Sequence, residues 1–131
     1  MHKRDIISLF IIFLISFLVY IIAFRIPNEQ LSNRFLHAFG GGFLAFLICF
    51  LIVKNTNLQL TKFQFFIFSF LLVTAMGVTN EILEFFLQNY AGFIFSASVN
   101  DTWLDLISNA VGALIAGAVL VPFVNRTKTN L

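Results

Sequence analysis

Residues Ile6 to Phe24 read IISLFIIFLISFLVYIIAF, nineteen positions without one charged side chain. A helix needs about 20 apolar residues to cross the hydrocarbon core of a bilayer, so this run already points to a membrane span. It is long for the core of a signal peptide, and no small-x-small cleavage site follows before Arg25-Ile26-Pro27. We therefore read it as a retained helix. Three comparable runs follow, from about Phe35 to Val53, Phe63 to Leu87, and Trp103 to Val124. None shows the period-two alternation of a barrel strand, and backbone groups in lipid must be satisfied internally. The expected fold is all-α: an integral membrane four-helix bundle, one domain over residues 1–131.

Composition agrees. Of 131 residues, 60% are hydrophobic, 19 are phenylalanine and only 11% are charged, which lies outside the soluble globular range. The net charge of +2 comes from scattered basic residues that form no patch, so nucleic acid is not expected as a partner. The single cysteine, Cys49, excludes an internal disulfide. The connections are short, and Gln88 to Ser98 is itself rather apolar, fitting either an interfacial path or a dip back toward the bundle.

Lysine and arginine favour cytoplasmic loops. Lys3, Arg4, Lys54, Lys62, Arg126 and Lys128 share one side of a four-span topology, against Arg25 and Arg34 on the other. Both termini are therefore expected in the cytoplasm, with Tyr90 and Trp103 near the outer boundary.

Charge then becomes the informative feature. Four of the six acidic residues, Glu81, Glu84, Asp101 and Asp105, lie in one 25-residue stretch, and no lysine or arginine occurs between Lys62 and Arg126. Ionisable side chains near hydrocarbon are costly and usually face a bundle interior, a partner or a substrate. Under the expected topology three polar sets arrive at the outer end. Arg34, His37 and Gly41 share a face of the second helix, Glu81, Glu84 and Gln88 of the third, and Asp101, Asp105, Asn109 and Gly112 of the fourth. Glu81 lies 18 positions beyond Phe63, roughly 27 Å along a helix and near the far edge of the core.

Each of these residues also has a plainer use. Thr102-Trp103-Leu104-Asp105 fits a capping box, and Asp101 suits a helix first turn. His37 alone can satisfy a backbone carbonyl, and Glu81 and Glu84 can be solvated at a helix end. Gly40-Gly41-Gly42 and the small pairs Gly112 with Ala116 and Ala113 with Gly117 suit close helix packing. The triplet would equally admit a ligand beside His37. Arg34 is the expected charge partner of the acids. One arginine and one histidine cannot balance four carboxylates, so protons, a metal or a cationic ligand group must complete the balance. No cofactor motif is evident. His37, Glu81, Glu84 and Asp105 nevertheless offer the nitrogen and oxygen donors that suit a divalent cation.

Familiar catalytic signatures are missing from the sequence. It has no His-Glu-x-x-His helix, Gly-x-Ser-x-Gly elbow or phosphate-cradling loop. Asn100-Asp101-Thr102 and Asn125-Arg126-Thr127 match the glycosylation pattern, a short and weak motif.

Three segments resemble a known family in its order. Leu31-Ser32-Asn33-Arg34-Phe35-Leu36-His37-Ala38-Phe39 is similar to the histidine-bearing block of VanZ-like membrane proteins. Gly77-Val78-Thr79-Asn80-Glu81-Ile82-Leu83-Glu84-Phe85-Phe86 resembles their Glu-x-x-Gln-x-Phe helix end, with Glu84 where glutamine is usual. Asp105-Leu106-Ile107-Ser108-Asn109-Ala110-Val111-Gly112 resembles their Asp-x-x-x-Asn-x-x-Gly motif. The chain also looks like a neighbouring group of small bacterial multi-span membrane proteins. The resemblance implies a multi-pass protein of the bacterial cytoplasmic membrane with a cell-envelope role, including glycopeptide antibiotic resistance in some members.

Two readings follow. In the first, Arg34, His37, Glu81, Glu84, Asp101, Asp105 and Asn109 bind a lipid-linked or glycopeptide-type ligand at the outer boundary. If that site is catalytic, His37, Glu81, Glu84 and Asp105 supply acid–base chemistry, since no nucleophile is evident. In the second, the chain is a non-catalytic structural or accessory subunit whose polar cluster is an interhelical network. A proton or cation pathway is a weaker third, because the charges sit at one end with none across the midplane.

Overall fold

A computed structural model describes residues 3–56, 58–93 and 99–124. The chain folds into four helices long and apolar enough to cross a membrane, with no strand among the described residues. Helix α1 spans Lys3–Phe24 and α2 spans Glu29–Asn55. Helix α3 spans Lys62–Tyr90. Helix α4 spans Val99–Leu120 and is followed by a single 3₁₀ turn, Val121–Phe123. The all-α four-helix membrane bundle expected from the sequence is what the structure shows.

Helix α2 begins at Glu29, earlier than its apolar run suggests. The reason is local. Pro27 follows the closing turn of α1, Asn28 is extended, and its side chain accepts from Leu31 N–H at 3.0 Å, capping the first turn. Ser32 Oγ donates to the carbonyl of Ala23 at 2.8 Å and ties this turn to the end of α1. The polar residues that hide the start from a hydropathy reading thus sit on a helix.

The middle of α2, Leu36–Phe43, is π-helical. Bonding i→i+5 packs more residues into each turn, so positions four and five apart come to share a face. His37 and Gly42, five apart, are thereby presented together toward α4, and Asn33, one α-helical turn before His37, joins them. Here α2 and α4 approach backbone to backbone. A Cβ added at Gly112 would collide with the Ala38 carbonyl, and one at Gly42 with the backbone of Asn109 and Ala113. The small residues are used for packing, as close helix contact in lipid requires.

Helix α3 starts with a capping box between Thr61 and Gln64 and runs for 29 residues, roughly 43 Å, so its last turns pass beyond the hydrocarbon. Gly92, at φ 73°, turns the chain after it. The possible dip of this connection toward the bundle concerns residues 94–98, outside the described residues. So do Arg126 and Lys128. At the opposite end of the bundle, Lys62 Nζ donates to the Pro122 carbonyl and Asn55 Nδ2 to Ser8 Oγ, both at 2.8 Å.

The core lies where α2, α3 and α4 meet. Phe46 and Phe65 are fully buried and pack edge to face at 5.5 Å between centroids. Ala113 and Ala116 complete this layer. Helix α1 is peripheral: among its residues with described burial, only Val19 and Ala23 are buried. Because lipid is as apolar as this core, its stabilisation comes from packing more than from leaving water. Phe46→Ala is therefore expected to cost about 2 kcal/mol, the cavity term without the full transfer term. Thermal unfolding in detergent would read this as a lowered midpoint with the helix content of the folded state unchanged.

Candidate functional site

At the end of the bundle away from Lys62 and Pro122, three helices bring polar side chains together. Asp105 of α4 is the centre, only 2% exposed. Asn33 Nδ2 of α2 donates to both of its carboxylate oxygens, at 3.1 and 3.0 Å. His37, one turn on, places Nε2 3.4 Å from Asp105 Oδ2. Asn109, one turn beyond Asp105 on α4, holds the other face of the imidazole, with Nδ2 3.3 Å from Nδ1. The chain Asn33–Asp105–His37–Asn109 thus crosses between α2 and α4 three times.

Asn109 has space there only because of glycine. A Cβ at Gly41 would collide with Asn109 Oδ1, and one at Gly77 would come within 3.0 Å of its Nδ2. The amide is clasped between α2 and α3, 4% exposed, and its Oδ1 has no hydrogen-bond partner.

Glu81 of α3 completes the site. It lies 19 residues past Lys62, roughly 28 Å along the helix, and so near the edge of the hydrocarbon. Thr102 of α4 lies beside its carboxyl, and Oε1 is buried without a hydrogen-bond partner. One ligand atom each from His37, Glu81 and Asp105 lies within 4.8 Å of the other two. A cation about 2.1 Å from each would hold such atoms about 3 Å apart, so the set needs only a modest inward shift of side chains.

The remaining residues expected at the site fall around it. Glu84 is not part of the trio: its Oε1 accepts from Asn80 Nδ2 at 2.6 Å, a bond within α3. Asp101 occupies the first turn of α4, where a carboxylate suits the helix dipole. Arg34 was expected to neutralise the acids. The α2 side chains that meet Asp105 are instead Asn33 and His37, and Arg34 Nε is buried without a hydrogen-bond partner. Asn33 stands at i−4 from His37, in the α-helical turn before the π segment, and shares the face that meets Asp105. Thr102 reads in the sequence as a helix cap, Asn33 lies one turn before His37, and nothing in the sequence marks Asn80 as a site residue.

The imidazole can serve two states. With Nε2–H directed at Asp105, Nδ1 accepts from Asn109. With a cation on Nε2, Nδ1 carries the proton, and rotating the Asn109 amide offers Oδ1 to it. Metal-bound histidines usually donate their second N–H in this way.

No curated protein and no solved structure matches the chain. The model of one family, described as a predicted membrane protein (DUF2238), matches residues 6–126, a stretch that holds every site residue named above. The chain belongs to the DUF2238 family.

Proposed function

We propose that this protein binds a divalent cation through His37, Glu81 and Asp105 at the outer membrane–water boundary, and uses it to recognise an envelope ligand. The observation that carries this reading is the trio itself. Three donors from three different helices come together, and one of them, Glu81 Oε1, is buried with nothing to meet it. Such an acceptor is costly unless a positive charge or donor completes it. One nitrogen and two carboxylate donors suit Mn²⁺ or Zn²⁺ better than a soft ion. The excess of basic residues on the other side of the expected topology supports an outward-facing site. The VanZ-like resemblance supports placement in the bacterial cytoplasmic membrane and a ligand of lipid-linked or glycopeptide type.

The Asn33–Asp105–His37–Asn109 chain favours one other reading, a structural or accessory subunit whose network only locks α2 to α4. Titration of the purified protein with Mn²⁺, followed by electron paramagnetic resonance, separates the two. One bound ion per chain is expected, with affinity reduced at least tenfold in Glu81→Gln, a change that leaves the α2–α4 bonds intact. Mn²⁺ affinity unchanged by Glu81→Gln, or no binding at all, would favour the structural reading.

A further inference from the structure

Beside the trio, α2 and α3 part to leave a groove of about 410 Å³, with Asn109 of α4 as its back wall. Asn33, His37 and Asn80 line its upper part, and Ala45, Ile48 and Met76 its lower part. Gly40, Gly41 and Gly77 keep the middle open, since none of them projects a side chain into it. Asn33 to Ile48 covers at most roughly 22 Å of helix, so the groove descends from headgroup depth well into the core. Met76 is 53% exposed, which opens this wall sideways to lipid.

A second hollow, of about 730 Å³, continues the same two helix faces. Ile52 follows Ile48 by one turn on α2, while Leu72 and Phe68 precede Met76 by one and two turns on α3. Its lining is apolar but for Gln64. The α2–α3 seam therefore grades from polar to apolar along its length. At the polar end sits the buried, unpartnered Oδ1 of Asn109. A packed transmembrane helix would set hydrocarbon against Asn33, His37 and Asn80, whereas an amphiphile meets both halves of the seam.

We infer that this seam binds one anionic phospholipid with a hydroxylated headgroup. Its phosphate lies against the cation held by His37, Glu81 and Asp105, and one acyl chain runs down past Ile48 and Met76. A headgroup hydroxyl accepts from Asn109 Nδ2, which takes the place of Oδ1 once Oδ1 turns to His37 Nδ1–H. The headgroup contacts rest on the cation reading above; the acyl contacts rest on the groove alone.

Native mass spectrometry of the full chain in detergent with Mn²⁺ tests this, using phosphatidylglycerol, phosphatidylcholine and water-soluble glycerol phosphate as probes. The wild type is expected to retain one phosphatidylglycerol per chain, at least tenfold in preference to phosphatidylcholine and to glycerol phosphate. Met76→Trp, which fills the groove at a position with room beside it, is expected to lose at least tenfold in lipid affinity while keeping its Mn²⁺. Leu72→Trp, lower in the same seam, repeats the test should Met76→Trp fail to fold. Lipid retained equally by both tryptophan variants overturns the proposal. So does glycerol phosphate binding as tightly as the lipid, which would identify a free-phosphate site, or a lipid-free dimer broken by Met76→Trp, which would make the seam a protein interface. Selective retention of phosphatidylglycerol that Met76→Trp abolishes, in protein that binds no Mn²⁺, supports the seam and refutes the cation reading alone.

Discussion

Asp105→Ala is expected to lower Mn²⁺ affinity at least a hundredfold and to destabilise the bundle by about 3 kcal/mol. The two effects have separate causes. Asp105 supplies one of the three proposed cation donors, and among the described residues it also accepts both hydrogen bonds of the Asn33 amide and meets His37 Nε2. A buried donor stripped of its partner costs about 1–3 kcal/mol, and here two groups are stripped at once. Asp105→Asn separates the causes. It keeps the shape and one acceptor oxygen for Asn33, so its stability is expected within about 1 kcal/mol of wild type. Its loss of Mn²⁺ affinity should nonetheless approach that of the alanine variant. Chemical or thermal unfolding in detergent, run beside metal titration, measures both quantities. A destabilised Asp105→Asn that binds Mn²⁺ normally would reverse the assignment of roles.

Gly112→Ala is expected to be the most damaging single-methyl change in the protein, destabilising the bundle by about 3 kcal/mol or more. The added Cβ would collide with the Ala38 carbonyl, which is backbone and cannot rotate aside. Overpacking usually costs about 1–3 kcal/mol, and side-chain rearrangement normally moderates it. That relief is absent here, so α2 and α4 must separate, loosening the Asn33–Asp105 and His37–Asn109 contacts with them. Gly40→Ala is the control. Its Cβ would meet only Val19 Cγ1, at an ordinary 3.9 Å. It is expected to be neutral or to stabilise by up to about 1 kcal/mol through helix propensity. Unfolding midpoints of the two variants check the contrast, and equal midpoints would remove the close α2–α4 crossing from the account.

The architecture was legible because apolar runs of span length leave the backbone little choice but helix. What the sequence obscured lies at the membrane boundary, where hydropathy stops reporting on helix ends. Glu29 to Arg34 reads as a polar connection, yet Asn28 caps it as the first turns of α2. The site was legible in part for a similar reason. His37, Glu81, Asp105 and Asn109 stand out as polar residues on apolar helices, and the fold gathers them. Glu81 and Glu84 share a face by their i, i+3 spacing, and that spacing alone could not tell which reaches His37 and Asp105. Asn33 and Arg34, at i−4 and i−3 from His37, both lie near its face, so spacing could not tell which meets Asp105, and nothing in the sequence marked the π-helical segment over Leu36–Phe43. A glycine triplet signals close approach but not a change of helical register.

The central claim is that His37, Glu81 and Asp105 form one cation site, and its most direct test is electron spin-echo envelope modulation of the Mn²⁺-loaded protein. The account predicts modulation from a coordinated imidazole nitrogen in the wild type, retained in Arg34→Gln and absent in His37→Gln. Bound Mn²⁺ with no nitrogen coupling, or with coupling that survives His37→Gln, would contradict it.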